Sequence, residues 1–117
     1  MFDDRSPIYL QIAEGIKNDV LSGSLKEDDQ VMSTNQYAAF YQINPATAAK
    51  GFAQLVDEGV LYKKRGIGMF VSPDAREKLR AARRERFFTE VVDPMLAEAK
   101  RIGIKVDEIV RHLGASR

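Results

Sequence analysis

Cysteine is absent from this 117-residue chain. That excludes disulfides, cysteine-ligated zinc and thiol chemistry, and makes a cytoplasmic location the simplest expectation. A long apolar run is also missing: no stretch approaches the roughly 20 residues a membrane helix needs. The N-terminus, Met1-Phe-Asp-Asp-Arg5, is acidic and lacks the basic-then-apolar order of a signal peptide. The chain has a single histidine, His112, near its end. This is a poor basis for general acid–base or metal chemistry, and a surface or helix-end position is the expected one. Asp28-Asp29 and Asp57-Glu58 are adjacent carboxylates without basic or metal-ligating company. Gly66-x-Gly68 is set in a hairpin pattern rather than between strand and helix, unlike a nucleotide-binding glycine loop. The expectation is therefore no enzyme, no metal, no cofactor and no membrane association. Internal repeats and low-complexity tracts are lacking too.

Net charge is +1, which argues neither for nor against a polyanionic partner. Its distribution is more informative. Residues 1–49 carry 3 basic and 7 acidic side chains, residues 50–86 carry 10 and 5, and residues 87–117 carry 5 and 5. A basic stripe thus runs from Lys50 through Lys63, Lys64 and Arg65 to Arg86, the footprint of a phosphate-binding surface. A charge run of this kind is also compatible with solvated helix faces.

The stretch Asn44–Gly59 organises the rest. Asn44 suits an N-cap, Pro45 the first helical position and Gly59 a left-handed helix end. Ala48, Phe52, Leu55 and Val56 make one apolar stripe, while Ala46, Thr47 and Lys50 leave short or polar side chains on the opposite face. Ahead of it, Ser33-Thr-Asn-Gln36 reads as a capping box opening a short helix with Tyr37, Ala38 and Phe40 or Tyr41 as core candidates. Two helices joined by a tight turn form a helix-turn-helix candidate, the second placed to enter a DNA major groove.

Further upstream, Ser6-Pro7 opens a helix with Ile8, Tyr9, Ile12, Ala13, Ile16 and Val20 as its buried stripe and Gly23 as its stop. A polar linker follows, with Leu25 tucked inward. Downstream, Leu61-Tyr62 and Met69–Val71 favour strands around the turn Arg65–Gly68, which gives a hairpin with a cationic tip: a wing. Ser72-Pro73 closes the first part, expected to span residues 1–73. The second part, 74–117, is a helix from Ala75 to about Arg101, kinked or restarted at Pro94 with Asp93 as cap. A short helix from Lys105 to Leu113 and a frayed tail, 114–117, complete it. Phe87, Phe88, Val91, Val92, Met95 and Leu96 cover too much of the helix for one side, so a second copy of the chain is the economical cover. A small apolar effector could also enter a face so rich in Phe and Met, although packed core is its expected use.

Taken together, Pro7-Ile-Tyr-Leu-Gln-Ile-Ala13, Asn44-Pro-Ala-Thr47 with Lys50, and Glu58-Gly59 before Arg65-Gly-Ile-Gly-Met-Phe-Val71 resemble the GntR family of bacterial transcription regulators. The short C-terminal appendage with Ala99-Lys-Arg-Ile-Gly103 is similar to its YtrA-type branch. The resemblance covers essentially the whole chain. It implies a mainly helical fold with a small hairpin, a winged helix-turn-helix followed by two dimerisation helices, and sequence-specific operator binding by a homodimer, usually as a repressor. By position it puts Ser33, Asn35, Asn44, Ala46, Thr47, Lys50, Lys64, Arg65 and Gly66 at double-stranded DNA. The chain departs from the family pattern at Val31-Met-Ser-Thr-Asn35, where Leu-Pro-Ser-x-Arg is usual, and so lacks a typical DNA-contacting arginine. A winged helix that serves as a protein–protein module is the alternative function, favoured by that missing arginine and opposed by Lys50, Lys63, Lys64 and Arg65.

Overall fold

The computed structural model describes residues 2–115. Its elements are α1 (Ile8–Ser22), α2 (Thr34–Tyr41), α3 (Pro45–Asp57), β1 (Leu61–Lys64), β2 (Gly68–Val71), α4 (Ala75–Phe87), a π turn (Phe88–Val92), α5 (Asp93–Arg101) and α6 (Val106–Ala115). This is the expected mainly helical chain with one small antiparallel hairpin. By packing it divides into two units, residues 1–80 and 81–117.

The local signals place the helices of the first unit. Ser33 accepts from the Gln36 N–H at 3.1 Å while the Gln36 carboxamide accepts from the Ser33 N–H at 3.0 Å, which closes the capping box of α2. Asn44 caps α3 by accepting from the Ala46 N–H at 2.7 Å. At the other end Gly59 adopts φ +76°, its N–H bonds Val56 O, and the Val60 N–H reaches back to Leu55 O at 2.9 Å. That pair of bonds is a Schellman ending. The turn between α2 and α3 needs only Gln42, in the left-handed region at φ 54°, and Ile43, whose N–H bonds Ala38 O.

The core is the stripe of α1 meeting the stripe of α3. Ile12, Ile16 and Val20 are buried against Phe52 and Leu55, with Leu61 and Val71 of the hairpin closing the far side. Tyr37 packs edge-on against Phe52 with ring centroids 5.3 Å apart, and its partial burial pushes its phenol up to about 12. Of the two candidates at the end of α2, Tyr41 is half-buried and Phe40 is exposed. Where the two long helices cross, Gly51 is required: a Cβ there would lie 2.9 Å from the Tyr9 carbonyl oxygen and 3.0 Å from Ile12 Cγ2.

Three features are not evident in the sequence. Residues 28–31 are not a free linker but run along β2: Asp28 N–H donates to Val71 O, Val71 N–H to Asp29 O and Val31 N–H to Met69 O, all within 3.0 Å. By packing, Ala75 and Leu79 join the core of the first unit, which extends to Arg80. Pro94 does not restart the helix with Asp93 as a cap. Asp93 is itself helical, and its N–H reaches Phe88 O across a π turn. That wider turn accommodates a ring that would otherwise collide with the carbonyl four residues back.

In the second unit α5 and α6 are joined through Gly103 at φ +79° and the Ile104 N–H bond to Ala99 O. Gly114 and Ala115, expected to fray, lie within α6, while the last two tail residues are outside the described range. Ala99 is the one buried apolar residue of this unit among those described. Phe88 is 63% exposed, and Phe87, Val91, Met95 and Leu96 are exposed beside it, with Val92 half-buried. No helix among the described residues is long and apolar enough to cross a membrane.

Candidate nucleic-acid interface

The N-terminal half of α3 presents Ala46 and Lys50 to solvent, with Thr47 half-buried between them. Positions 46, 47 and 50 share a face because three and four residues complete a helical turn. Asn44 commits its carbonyl oxygen to the cap, and its NH2 makes no bond among the described residues. Ser33 likewise uses its oxygen on Gln36, which leaves the hydroxyl proton to donate outward, and Asn35 is exposed on the first turn of α2. All these groups belong to the helix-turn-helix, and each is held by a cap or by a packed helix.

Lys50 does not dangle. Its Nζ lies 4.1 Å from the centroid of the Tyr9 ring, well within cation–π range. Together Pro7, Ile8, Tyr9, Ala46, Thr47 and Lys50 line a shallow open groove of about 680 Å³ between the starts of α1 and α3. The sequence reading assigned Ile8 and Tyr9 to the buried stripe. Ile8 is 39% exposed, and the ring of Tyr9 carries the Lys50 ammonium. The Pro7-Ile-Tyr9 order held the signal, since an aromatic at the first turn of a helix stands where that helix emerges from the core.

The wing is built the same way. Lys64 Nζ sits 4.6 Å from the Phe70 ring, and Phe70 stacks on Tyr62 with centroids 5.7 Å apart. The Tyr62 hydroxyl donates to Asp28 Oδ1 at 2.6 Å, and that hydrogen bond holds the proton on the phenol and raises its pKa. Gln30 Nε2 donates to Ile67 O at 3.1 Å and lies 2.6 Å from where a Cβ on Gly68 would be. Glycine at 68, with φ +146°, therefore lets Gln30 prop the turn from beneath. At the tip Arg65 and Gly66 are exposed, and Arg65 makes no ion pair among the described residues. The sequence does not reveal the supporting roles of Gln30 and Tyr62, because their partners are 37 and 34 residues away.

At the C-terminal end of α3, Lys17 pairs with Glu58 at 2.6 Å and Gln54 Nε2 donates to Glu58 Oε2 at 3.0 Å. This ties the end of α3 to α1 and fixes the angle at which its N-terminal half projects. No group of three or more His, Asp or Glu side chains among the described residues could hold a metal ion.

No family model matches the chain. A solved structure described as a transcriptional regulator of the GntR family from Bacteroides thetaiotaomicron is 33% identical to it. The match covers 92% of this chain and 94% of that one, with a TM-score of 0.73. The chain belongs to the GntR family. Among curated members, it is 28% identical over 109 residues to the repressor YtrA of Bacillus subtilis, covering 92% of this chain and 83% of YtrA. The Bacillus subtilis repressor NagR is 38% identical over 72 residues, which are 62% of this chain and only 30% of NagR. The chain thus spans less than a third of that relative's length. The DNA-binding domain of AraR in complex with operator ORX1 aligns at 26% identity and a TM-score of 0.57, covering 62% of this chain and 93% of that one. The part shared with NagR and AraR is of winged-helix size, whereas the matches to YtrA and to the Bacteroides regulator are long enough to take in C-terminal helices.

Proposed function

We propose that this GntR-family chain is a transcription repressor that binds a palindromic operator as a homodimer in the cytoplasm. The observation that carries the reading is the joint placement of Lys50 on α3 and Lys64 on the wing, each held on an aromatic ring of the same unit. Two fixed cations flanking a polar helix face suit a duplex, in which base edges lie between phosphate rows. In this reading Ala46 and Thr47 face base edges, Lys50 and Asn44 stand beside them, Ser33 and Asn35 meet the backbone, and Lys64, Arg65 and Gly66 reach phosphate or minor groove. The AraR–operator complex supports a DNA partner, and the whole-length likeness to YtrA supports a regulator of this short type.

Dimerisation rests on residues 81–115. Phe87, Phe88, Val91, Met95 and Leu96 form an exposed apolar surface. Met95, Ala99, Ile102, Ile104, Ile109 and Leu113 line an open groove of about 550 Å³ between α5 and α6. An exposed patch of this kind marks an interaction surface, and a two-fold pair covers the same face on both copies. The groove is also of ligand size, with Glu98, Glu108 and His112 on its rim, so a small apolar effector is a second use for it.

Footprinting of the DNA upstream of the chain's own gene tests the reading. The expected result is two protected half-sites related by symmetry and spaced by about one helical turn or a multiple of it. Absence of protection at low salt would favour a protein–protein module, and a single protected half-site would remove the dimer.

A further inference from the structure

We propose that Tyr9 is a positioning residue of the DNA interface, its ring fixing the Lys50 ammonium at the mouth of the groove between α1 and α3. The inference rests on the DNA-binding reading and adds α1 to it. A lysine on an exposed helix face ordinarily samples many rotamers around a strongly hydrated charge. Here Nζ lies 4.1 Å from the Tyr9 centroid, and no carboxylate is paired with it among the described residues. Its charge is therefore localised but not neutralised. One face of the ammonium rests on the ring, and its N–H groups on the other side are left for an acceptor.

The ring is itself held by the fold. The Tyr9 carbonyl oxygen is close enough to Gly51 that a Cβ would sit 2.9 Å from it, so the start of α1 is seated directly on α3, one residue from Lys50. Pro7 precedes this turn, and Ile12, Ala13, Ile16 and Val20 of α1 are buried, so the ring's base follows the core. Localising the cation before binding removes part of the ordering cost that a free lysine would incur on contact with DNA. An acceptor entering the groove lined by Ile8 and Thr47 then meets a charge already in place.

The test is a double-mutant cycle on a duplex enriched from a random-sequence pool by the unsubstituted chain, with Tyr9→Leu, Tyr9→Phe, Lys50→Ala and the Tyr9→Leu/Lys50→Ala pair. Melting curves first confirm that each variant is folded at the assay temperature. Tyr9→Leu should weaken binding about two- to fivefold, the range of an exposed cation–π contact, and Tyr9→Phe should restore it. Tyr9→Leu should cost nothing further once Lys50 is alanine. In the free protein the Lys50 ε-methylene protons should resonate upfield under the ring current, shifted in the Phe variant but not in the Leu variant. Additive losses, or unshifted ε-methylene protons, would overturn the role of Tyr9 while leaving DNA binding intact. If the unsubstituted chain enriches no duplex, the DNA-binding reading fails and this role falls with it.

Discussion

Single residues decide what each part of the interface can read. Thr47 shares the exposed face of α3 with Lys50, whereas Lys64 lies on the wing over Phe70. A base contact discriminates between sequences, and a phosphate contact releases counterions from any duplex. Thr47→Ala should therefore lose about 1–3 kcal/mol on operator and little on scrambled DNA. Lys64→Ala should weaken both alike and flatten the salt dependence by roughly one unit of slope. Titrations on both duplexes check this, and the reverse pattern would exchange the two groove assignments. Gly51 is a second residue-scale case. From the sequence it is only a helix weakened by about 1 kcal/mol relative to alanine. In the fold it is the gap that admits Tyr9 and Ile12 of α1. Gly51→Ala should destabilise by about 1–3 kcal/mol, since overpacking at a backbone contact outweighs the gain in propensity. A raised melting temperature would show that the crossing can relax. No local signal names this contact, because the opposing backbone is about 40 residues away in the chain.

Among the elements, those whose ends are set by neighbours in sequence were legible. The capping box at Ser33, the Asn44 cap and the Gly59 ending each close within a few residues, and each bond is present. The strand-like course of residues 28–31 was not legible, because its partner is β2 and its own sequence is polar. Nor was the π turn, since Pro94 announces a disturbance without choosing among a kink, a cap and a widened turn. The start of α4 shows the same limit. Ser72-Pro73 reads as a boundary, yet Leu79 is only 8% exposed because it folds back into the core of the first unit. A chain ending at Arg80 should fold as a winged helix and be monomeric. One ending at Pro73 should be less stable by about 2–5 kcal/mol, the usual cost of losing a buried leucine with its neighbours. Equal denaturation midpoints for the two would place the boundary back at Pro73.

At the scale of the molecule, one unit carries the ring-held cations Lys50 and Lys64 and the other carries exposed apolar surface. Most of the large hydrophobics from Phe87 to Leu113 are exposed in a single chain, and a second copy is the cover proposed for them. Phe88→Asp should dissociate the pair, because it would bury an unpaired charge at the interface. Sedimentation would show the monomer, and an unchanged dimer would mean that Phe88 faces solvent. In the proposed dimer, two linked reading heads would raise operator affinity without any new contact, since the second half-site would bind at high effective concentration. The most direct measurement is an anisotropy titration of the full chain on the duplex upstream of its own gene and on a scrambled duplex, at several salt concentrations. The account predicts one dimer per upstream duplex, an affinity at least about 10³-fold above the scrambled one, and a log–log salt dependence of several units on both. Equal affinity for the two duplexes, or no binding at low salt, would contradict it.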